Sequence, residues 1–71
     1  MTGSQLRTRR ERLGMTQTEL AERWWGDPAR QSHIARWESG AIAITSTRAA
    51  WINTRLRELE ERHGIKTGIR R

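Results

Sequence analysis

The chain has 71 residues and a formal net charge of +6, with 14 Lys and Arg against 8 Asp and Glu. It contains four Trp and no Cys, which excludes disulfide scaffolds, thiolate zinc fingers and thiol catalysis. No apolar run reaches the roughly 18–20 residues of a membrane span, and the first residues lack the apolar stretch of a signal peptide. These properties predict a small basic domain in the cytoplasm with a polyanion as its obvious partner.

The surplus of positive charge is spread along the chain. Basic residues outnumber acidic ones in each of the segments 1–27, 28–48 and 49–71. Arginines crowd the start of the chain at Arg7, Arg9, Arg10 and Arg12. In a chain this basic, such a cluster favours a surface that faces phosphate over an ordinary solvated helix face.

Glycine, proline and capping residues divide the sequence into four helical stretches, and no strand pattern is present. The first predicted helix has Ser4 as its N-cap and runs to about Leu13, where Gly14 ends it. Leu6 and Leu13 lie on one face of this helix, and Arg10 lies between them. An arginine on the inward face of a helix needs a partner.

The second predicted helix begins at Thr16, which can form a capping box with Glu19. Leu20 and Trp24 follow at helical spacing, so we expect Trp24 in the core, and Gly26 closes the helix. The neighbouring Trp25 is expected either to cover the following turn or to remain exposed.

The pair Asp27-Pro28 marks a third start, because Asp caps helices and Pro suits the first helical position. This helix is predicted to run to Ser39, with Ile34 and Trp37 as its buried stripe. The opposite side carries small and polar residues suited to the edges of bases: Gln31, Ser32, Ala35 and Arg36.

The apolar stretch 41–44 is predicted to be a loop that plugs the core. Thr45 or Ser46 then caps a fourth helix through about Arg62. Its apolar residues recur in a heptad-like seam: Ala49, Ile52, Leu56 and Leu59. The predicted domain spans residues 4–63, and residues 64–71 form a basic C-terminal tail.

Two short helices joined by a turn, the second with a polar outer face, describe a helix-turn-helix. The sequence resembles the Cro/C1-type (XRE) family of helix-turn-helix proteins over roughly residues 5–62. Two motifs carry the resemblance: Gly14-Met15-Thr16-Gln17-Thr18-Glu19-Leu20-Ala21 and Ile34-Ala35-Arg36-Trp37-Glu38-Ser39-Gly40. It implies an all-α bundle of four to five helices, a lambda-repressor-like DNA-binding domain.

The resemblance also implies roles for single residues. Gln17 and Ser39 match positions that contact the DNA backbone, whereas Gln31, Ser32 and Arg36 match positions that contact bases in the major groove. Arg10 and Glu38 match a pair that some members bury as a salt bridge, which would supply the partner that Arg10 needs.

Two further phosphate contacts are predicted beside these. Arg30 stands at the front of the recognition helix, where phosphate is its expected partner. His33 borders the binding face, and it is expected either to contact phosphate or to be an ordinary half-exposed histidine. The segment from Gln17 to Ile34 is three residues longer than the family usually has. We expect the extra residues partly in a lengthened turn and partly at the front of the recognition helix.

Leu59, with Ile65 and Ile69 beyond it, is more apolar surface than one small domain needs to bury. Leu56, Leu59 and Ile65 are therefore predicted to form a two-fold dimer interface. The expected function is sequence-specific DNA binding by a homodimeric transcriptional repressor or autoregulator at a palindromic operator. Such a regulator would be encoded by a bacterium, a phage or a mobile element, act at the nucleoid and need no ligand-sensing domain.

The main alternative is a protein-interaction module, an antitoxin or anti-activator, whose working surface would be Trp25 and the apolar seam. RNA binding is weaker, because the chain lacks an exposed aromatic platform. No residue constellation predicts an enzyme. His33 and His63 have no carboxylate cluster of ligand spacing, so no metal is expected, and no cofactor either.

Overall fold

The computed structural model describes residues 1–62. Within this range the protein is all-α, with four helices, a short 3₁₀ turn and no strand. The helices are α1 (Gly3–Arg12), α2 (Gln17–Trp25), α3 (Gln31–Ser39) and α4 (Ser46–Arg62), and the 3₁₀ turn is Pro28–Arg30. None of the described helices is long and apolar enough to cross a membrane. The all-α helix-turn-helix fold predicted from the sequence is therefore confirmed.

Helix α1 begins earlier than predicted, because Thr2 and not Ser4 is its N-cap. The Thr2 hydroxyl accepts from the Gln5 amide, and the Gln5 side chain accepts from the Thr2 amide, which completes a capping box. Gly3 opens the helix against the end of α3. A Cβ atom at Gly3 would overlap the carbonyl oxygens of Trp37 and Glu38, so glycine permits this close approach of two backbones.

The capping box predicted for α2 is confirmed. Thr16 Oγ1 accepts from the Glu19 amide at 3.1 Å, and Glu19 Oε1 accepts from the Thr16 amide at 2.8 Å. The helix ends at Gly26, whose φ of 68° lies in the left-handed region that glycine adopts without strain. All the signals for this helix are local, which is why the sequence was sufficient to place it.

The recognition helix begins later than predicted. Asp27 does act as a cap, since its carboxylate accepts from the Ala29 amide at 3.0 Å, but it caps the 3₁₀ turn Pro28–Arg30. Helix α3 starts only at Gln31. The three residues of the turn match in number the excess over the family's usual spacing, and they lie in front of the recognition helix.

The connection from α3 to α4 does not plug the core as predicted. Ile42 is 37% exposed, and of the stretch 41–44 only Ile44 packs against the core. The amide of Ile42 instead donates to the Arg36 carbonyl, which folds the connection back along the end of α3. Thr45 caps α4, because its hydroxyl accepts from the Arg48 amide at 3.2 Å.

The core is formed by apolar side chains from all four helices. Ile34 and Trp37 of α3 and Trp24 of α2 are buried, as the helical spacing predicted. The complete set is Leu6, Leu13, Leu20, Ala21, Trp24, Ile34, Trp37, Ile52, Leu56 and Leu59. Burial of each large side chain is worth about 1.5–3 kcal/mol, so a domain this small depends on nearly every member.

This core corrects the predicted dimer interface at two of its three residues. Leu56 and Leu59 are buried within a single chain and pack on the other helices. They therefore leave no open apolar seam for a second copy. The third residue, Ile65, lies outside the described residues.

Candidate nucleic-acid interface

Helix α3 presents one polar face to solvent. Ile34 and Trp37 hold its opposite side in the core, which leaves Ser32, Arg36 and Ser39 exposed on the outer side. Because residues three and four apart share a helix face, these three side chains lie along one line. A short exposed helix with hydroxyl and guanidinium groups on its outer face can meet the edges of bases.

Gln31 lies at the edge of this face and is joined to α2. Its Nε2 donates to Oε1 of Gln17 at 2.8 Å, and Nε2 of Gln17 donates to Oε1 of Glu38 at 2.9 Å. All three side chains are partly buried. The first residue of α2 and the first residue of α3 are thus held in a fixed relation.

Glu38 receives a second and stronger set of bonds from α1. Arg10 Nε donates to Oε2 at 2.7 Å and its Nη2 to Oε1 at 3.1 Å, while Nη1 donates to the Met15 carbonyl at 2.8 Å. The two side chains of the ion pair are only 10% and 5% exposed. The hydrogen bonds to Glu38 raise the pKa of the Arg10 guanidinium above its ordinary value, so it stays charged despite partial burial.

The ion pair implied by the family resemblance is therefore present. It also turns the one acidic residue of α3 away from the outer face, because the Glu38 carboxylate points toward α1. The exposed side of the recognition helix carries no negative charge of its own, which suits it to a polyanion.

Arg30 lies immediately in front of α3 and is exposed. Its guanidinium carbon is 5.6 Å from the centre of the Trp25 ring, and its Nε is 4.0 Å from the Asp27 carboxylate. A guanidinium over an aromatic face keeps its donors free at the ring's edge. Arg30 is thus held at the front of the recognition helix while it can still bind an anion.

His33 lies on the flank of α3 and packs on tryptophans. The centre of its ring is 4.5 Å from that of Trp37 and 6.1 Å from that of Trp25, both in edge-to-face geometry. This is the half-exposed histidine that was the alternative to a phosphate contact. Its predicted phosphate contact stays a prediction.

Ser39 closes the outer face at the end of α3. Its hydroxyl donates to the Arg36 carbonyl at 3.2 Å and accepts from the Ala41 amide at 3.3 Å. These bonds shape the start of the connection to α4, and the side chain remains exposed.

The phosphate-facing surface predicted from the arginines of α1 loses two of its four members to ion pairs within the domain, while Arg7 and Arg12 stay exposed. Arg9 donates to both carboxylate oxygens of Glu60 at 2.9 Å and to Oδ1 of Asn53 at 2.7 Å. Arg7 pairs with Glu11 along the helix surface. Of the cluster, Arg9 and Arg10 are thus committed to ion pairs within the domain.

Sequence reasoning missed the link between Arg9 and Glu60 and the tryptophan contacts of Arg48. The first pair is separated by 51 residues, and no local pattern could have joined them. The Arg48 guanidinium lies 5.5 Å from the Trp51 ring centre and 5.9 Å from that of Trp37. The i, i+3 spacing of Arg48 and Trp51 was the available signal for the latter.

A family model described as helix-turn-helix matches residues 6–51, about two thirds of the chain. The chain belongs to the Cro/C1-type (XRE) helix-turn-helix family. Members of this family are DNA-binding regulators. No curated protein and no solved structure matched the chain.

In this XRE-type domain α2 and α3 are the two helices of the motif, and the outer face of α3 is the candidate DNA-reading surface. No group of three or more metal-ligating side chains occurs within residues 1–62. The chemistry available at the face is hydrogen bonding and charge attraction.

Proposed function

We propose that this protein is a sequence-specific transcriptional repressor or autoregulator that acts as a homodimer at a palindromic operator. The observation that carries the proposal is the outer face of α3. It presents Ser32 and Arg36 to solvent, while its acidic residue Glu38 is paired inside. A recognition helix whose exposed side carries an arginine and no carboxylate fits the major groove of DNA.

Each residue of the face has a role that its chemistry supports. Arg36 forms a bidentate contact with guanine O6 and N7, and Gln31 pairs with adenine N6 and N7. Ser32 contacts either kind of base from the same side of α3.

The remaining contacts fix the register on the DNA backbone. Gln17 at the start of α2, Arg30 in front of α3 and Ser39 at its end bind phosphates, with His33 as a further candidate on the flank. Gln17 also holds Gln31 through the 2.8 Å hydrogen bond, so one residue serves both the backbone and the base contact.

The homodimer is part of the proposal because the two-fold symmetry of an operator mirrors that of its protein. Two recognition helices then enter successive major grooves about 34–36 Å apart. Occupation of such a site over a promoter blocks RNA polymerase.

The alternative function, a protein-interaction module, relied on an exposed Trp25 and an open C-terminal seam. Trp25 is partly buried and stacks on Trp51 at 5.8 Å, and the seam residues Leu56 and Leu59 lie in the core. The described residues thus offer neither of those surfaces, which favours the DNA-binding proposal.

Replacement of Arg36 tests the proposal. Arg36→Ala should weaken binding to the operator by about 1–3 kcal/mol and leave binding to random DNA nearly unchanged, because a base contact is lost and the fold is not. Competition titrations with both DNAs measure this. Arg57→Ala removes the same charge from an exposed position on α4 and is the matched control.

The operator itself can be found in the DNA flanking the gene. Footprinting with the purified protein should protect an inverted repeat whose halves are one helical turn apart. Protection of a single half-site would contradict the dimer.

An equal loss of affinity for operator and random DNA in Arg36→Ala would show that this residue does not take part in base recognition.

A further inference from the structure

A small cleft opens between the end of α2 and the second half of α4. Its volume is about 220 Å³, and six residues line it: Arg23, Trp24, Arg55, Glu58, Leu59 and Arg62. The apolar rings and methyl groups of Trp24 and Leu59 belong to the core, whereas the charged side chains stand around them. None of these residues has a part in the proposed DNA contacts.

Trp24, one of the residues that line this cleft, carries an unsatisfied hydrogen-bond donor. Trp24 is 8% exposed, and its Nε1 is buried. Among the described residues, this nitrogen is the one buried polar atom of a side chain that has no hydrogen-bond partner. A buried N–H that lacks an acceptor costs about 1–3 kcal/mol, so such groups are rare and call for an explanation. An acceptor that enters the cleft would supply one.

The Trp24 indole is also held in place. It makes edge-to-face contacts with Trp51 at 5.3 Å and with Trp25 at 5.8 Å between ring centres. A ring packed between two others has little freedom to turn toward another acceptor. The indole of this lining residue is therefore held in one orientation.

The charge around the cleft favours an anion. Three arginines face one carboxylate, and the only ion pair among them joins Arg55 and Glu58 at 3.6 Å with both side chains about half exposed. Within residues 1–62, no carboxylate lies within ion-pair distance of Arg23 or Arg62. Positive charge thus remains available at the rim.

The cleft lies away from the candidate DNA-reading face. Arg48, which packs on Trp37 of α3, marks the end of α4 that is near the recognition helix. Arg55 and Arg62 follow Ser46 by nine and sixteen residues, which is about 14 and 24 Å along the helix axis. Trp24 is at the opposite end of α2 from Gln17. The arginines of the cleft thus lie apart from the outer face of α3.

We propose that this cleft binds the carboxylate of a Glu or Asp side chain on an acidic segment of a partner protein. The carboxylate oxygen accepts from Trp24 Nε1–H, and the guanidinium groups at the rim flank it, those of Arg23, Arg55 and Arg62. Pockets for small-molecule ligands usually measure about 300–1,000 Å³, so a cleft of this size suits a single anchoring side chain. The protein would thereby bind a second protein on a different side from its DNA.

The indole N–H signals provide a direct test in the full-length protein. In a ¹⁵N–¹H correlation spectrum each of the four tryptophans gives one such signal, and Trp24→Phe assigns that of Trp24. A short peptide of alternating Glu and Gly should move the Trp24 signal most, whereas its Gln and Gly counterpart should not. Arg55→Gln with Arg62→Gln should weaken this binding by about tenfold or more.

A matched double variant separates the cleft from bulk charge. Arg7→Gln with Arg57→Gln removes the same charge from exposed positions outside the cleft and should leave the peptide affinity within about twofold of the original. An equal loss in both double variants would overturn the proposal, as would an unmoved Trp24 signal.

Two further arms identify the source of the anion. If acetate moves the Trp24 signal with the same affinity as the peptide, the cleft is a site for free carboxylates. That result would overturn the proposal that it binds a segment of a partner protein. Duplex DNA that moves it, together with weaker DNA binding by the Arg55 and Arg62 variant than by its matched control, would assign the cleft to DNA. Unchanged DNA binding by both double variants with loss of peptide binding supports the proposal independently of the proposed repressor function.

Discussion

Arg9 and Arg10 are neighbours on α1, yet they connect this helix to different parts of the molecule. Arg9 clamps α4 through Glu60 and Asn53. Arg10 reaches Glu38 on α3. Each arginine makes three hydrogen bonds, two of them to one carboxylate, and each carboxylate is nearly inaccessible, at 4% exposed for Glu60 and 5% for Glu38.

The two clamps differ in what lies beyond the carboxylate. Among the described residues Glu60 accepts only from Arg9, so that ion pair ends in the scaffold. Glu38 also accepts from Gln17, which in turn accepts from Gln31 at the candidate DNA-reading face. The same kind of Arg–Glu ion pair therefore has two uses. Arg9 and Glu60 contribute to stability alone, whereas Arg10 and Glu38 contribute to stability and also to the position of Gln17.

The largest effect is expected from Glu38→Ala. It leaves the Arg10 guanidinium, 10% exposed, without its counter-charge and Gln17 without an acceptor. Breaking a buried ion pair in this way costs about 3–5 kcal/mol. That is a large part of the stability of a domain this small. Urea unfolding followed by tryptophan fluorescence measures the loss, and a variant within about 1 kcal/mol of the original would contradict it.

A smaller effect is expected from Glu60→Ala. The Arg9 side chain is 21% exposed, so it can recover water when its partner is removed, and Asn53 still accepts one bond. We expect a loss of about 1–3 kcal/mol in the free energy of unfolding. Operator affinity of the folded fraction should be unchanged. Weakened DNA binding with an intact fold would show that this clamp is also a positioning device.

The smallest effect on stability among these three variants is expected from Gln17→Ala, which cuts the connection between Glu38 and Gln31. The side chain is only partly buried, so the free energy of unfolding should fall by about 1 kcal/mol. Operator affinity should fall by more than the free energy of unfolding does, because Gln31 loses its anchor and the proposed phosphate contact of Gln17 is lost as well. Unfolding and DNA titrations on one sample distinguish the two losses. A variant that binds operator DNA as tightly as the original protein would contradict the proposed positioning role.

Glu58→Ala is the matched control for the three variants. It removes the partner of Arg55, whose side chain is 43% exposed, from an ion pair of 3.6 Å on the surface of α4. Exposed pairs contribute little, so stability should change by no more than about 0.5 kcal/mol. A loss as large as that of Glu60→Ala would mean that burial is not what distinguishes the clamps.

Much of the fold could be predicted from the sequence, because its signals act between neighbouring residues. The capping box of Thr16 and Glu19 and the buried spacing of Ile34 and Trp37 were predicted and are confirmed. The wrong predictions of helix starts concerned choices between local alternatives. Ser4 and Thr2 are both good caps, and the contact of Gly3 with α3 favours the earlier start. Asp27 is a good cap in either case, but it begins the 3₁₀ turn and not α3.

The candidate site followed a similar division. Gln17, Gln31, Ser32 and Arg36 were predicted from motif positions, and the outer face of α3 does present Ser32 and Arg36. The hydrogen bond between Gln17 and Gln31 could not be predicted, because the residues are 14 apart and the turn between them is longer than usual. Only the path of that turn decides whether the two amides meet.

The small, basic and cysteine-free composition, the four helices and the helix-turn-helix motif were determined by the sequence alone, because caps, glycines and periodic apolar residues act over one or two helical turns. Tertiary structure decided which charges are available. Arg9 and Arg10 lie within a crowded basic helix, yet partners 51 and 28 residues away draw both inward. Leu56 and Leu59 looked like surplus apolar surface, yet the bundle buries them. Burial and pairing depend on how helices distant in sequence pack, and no local pattern specifies that packing.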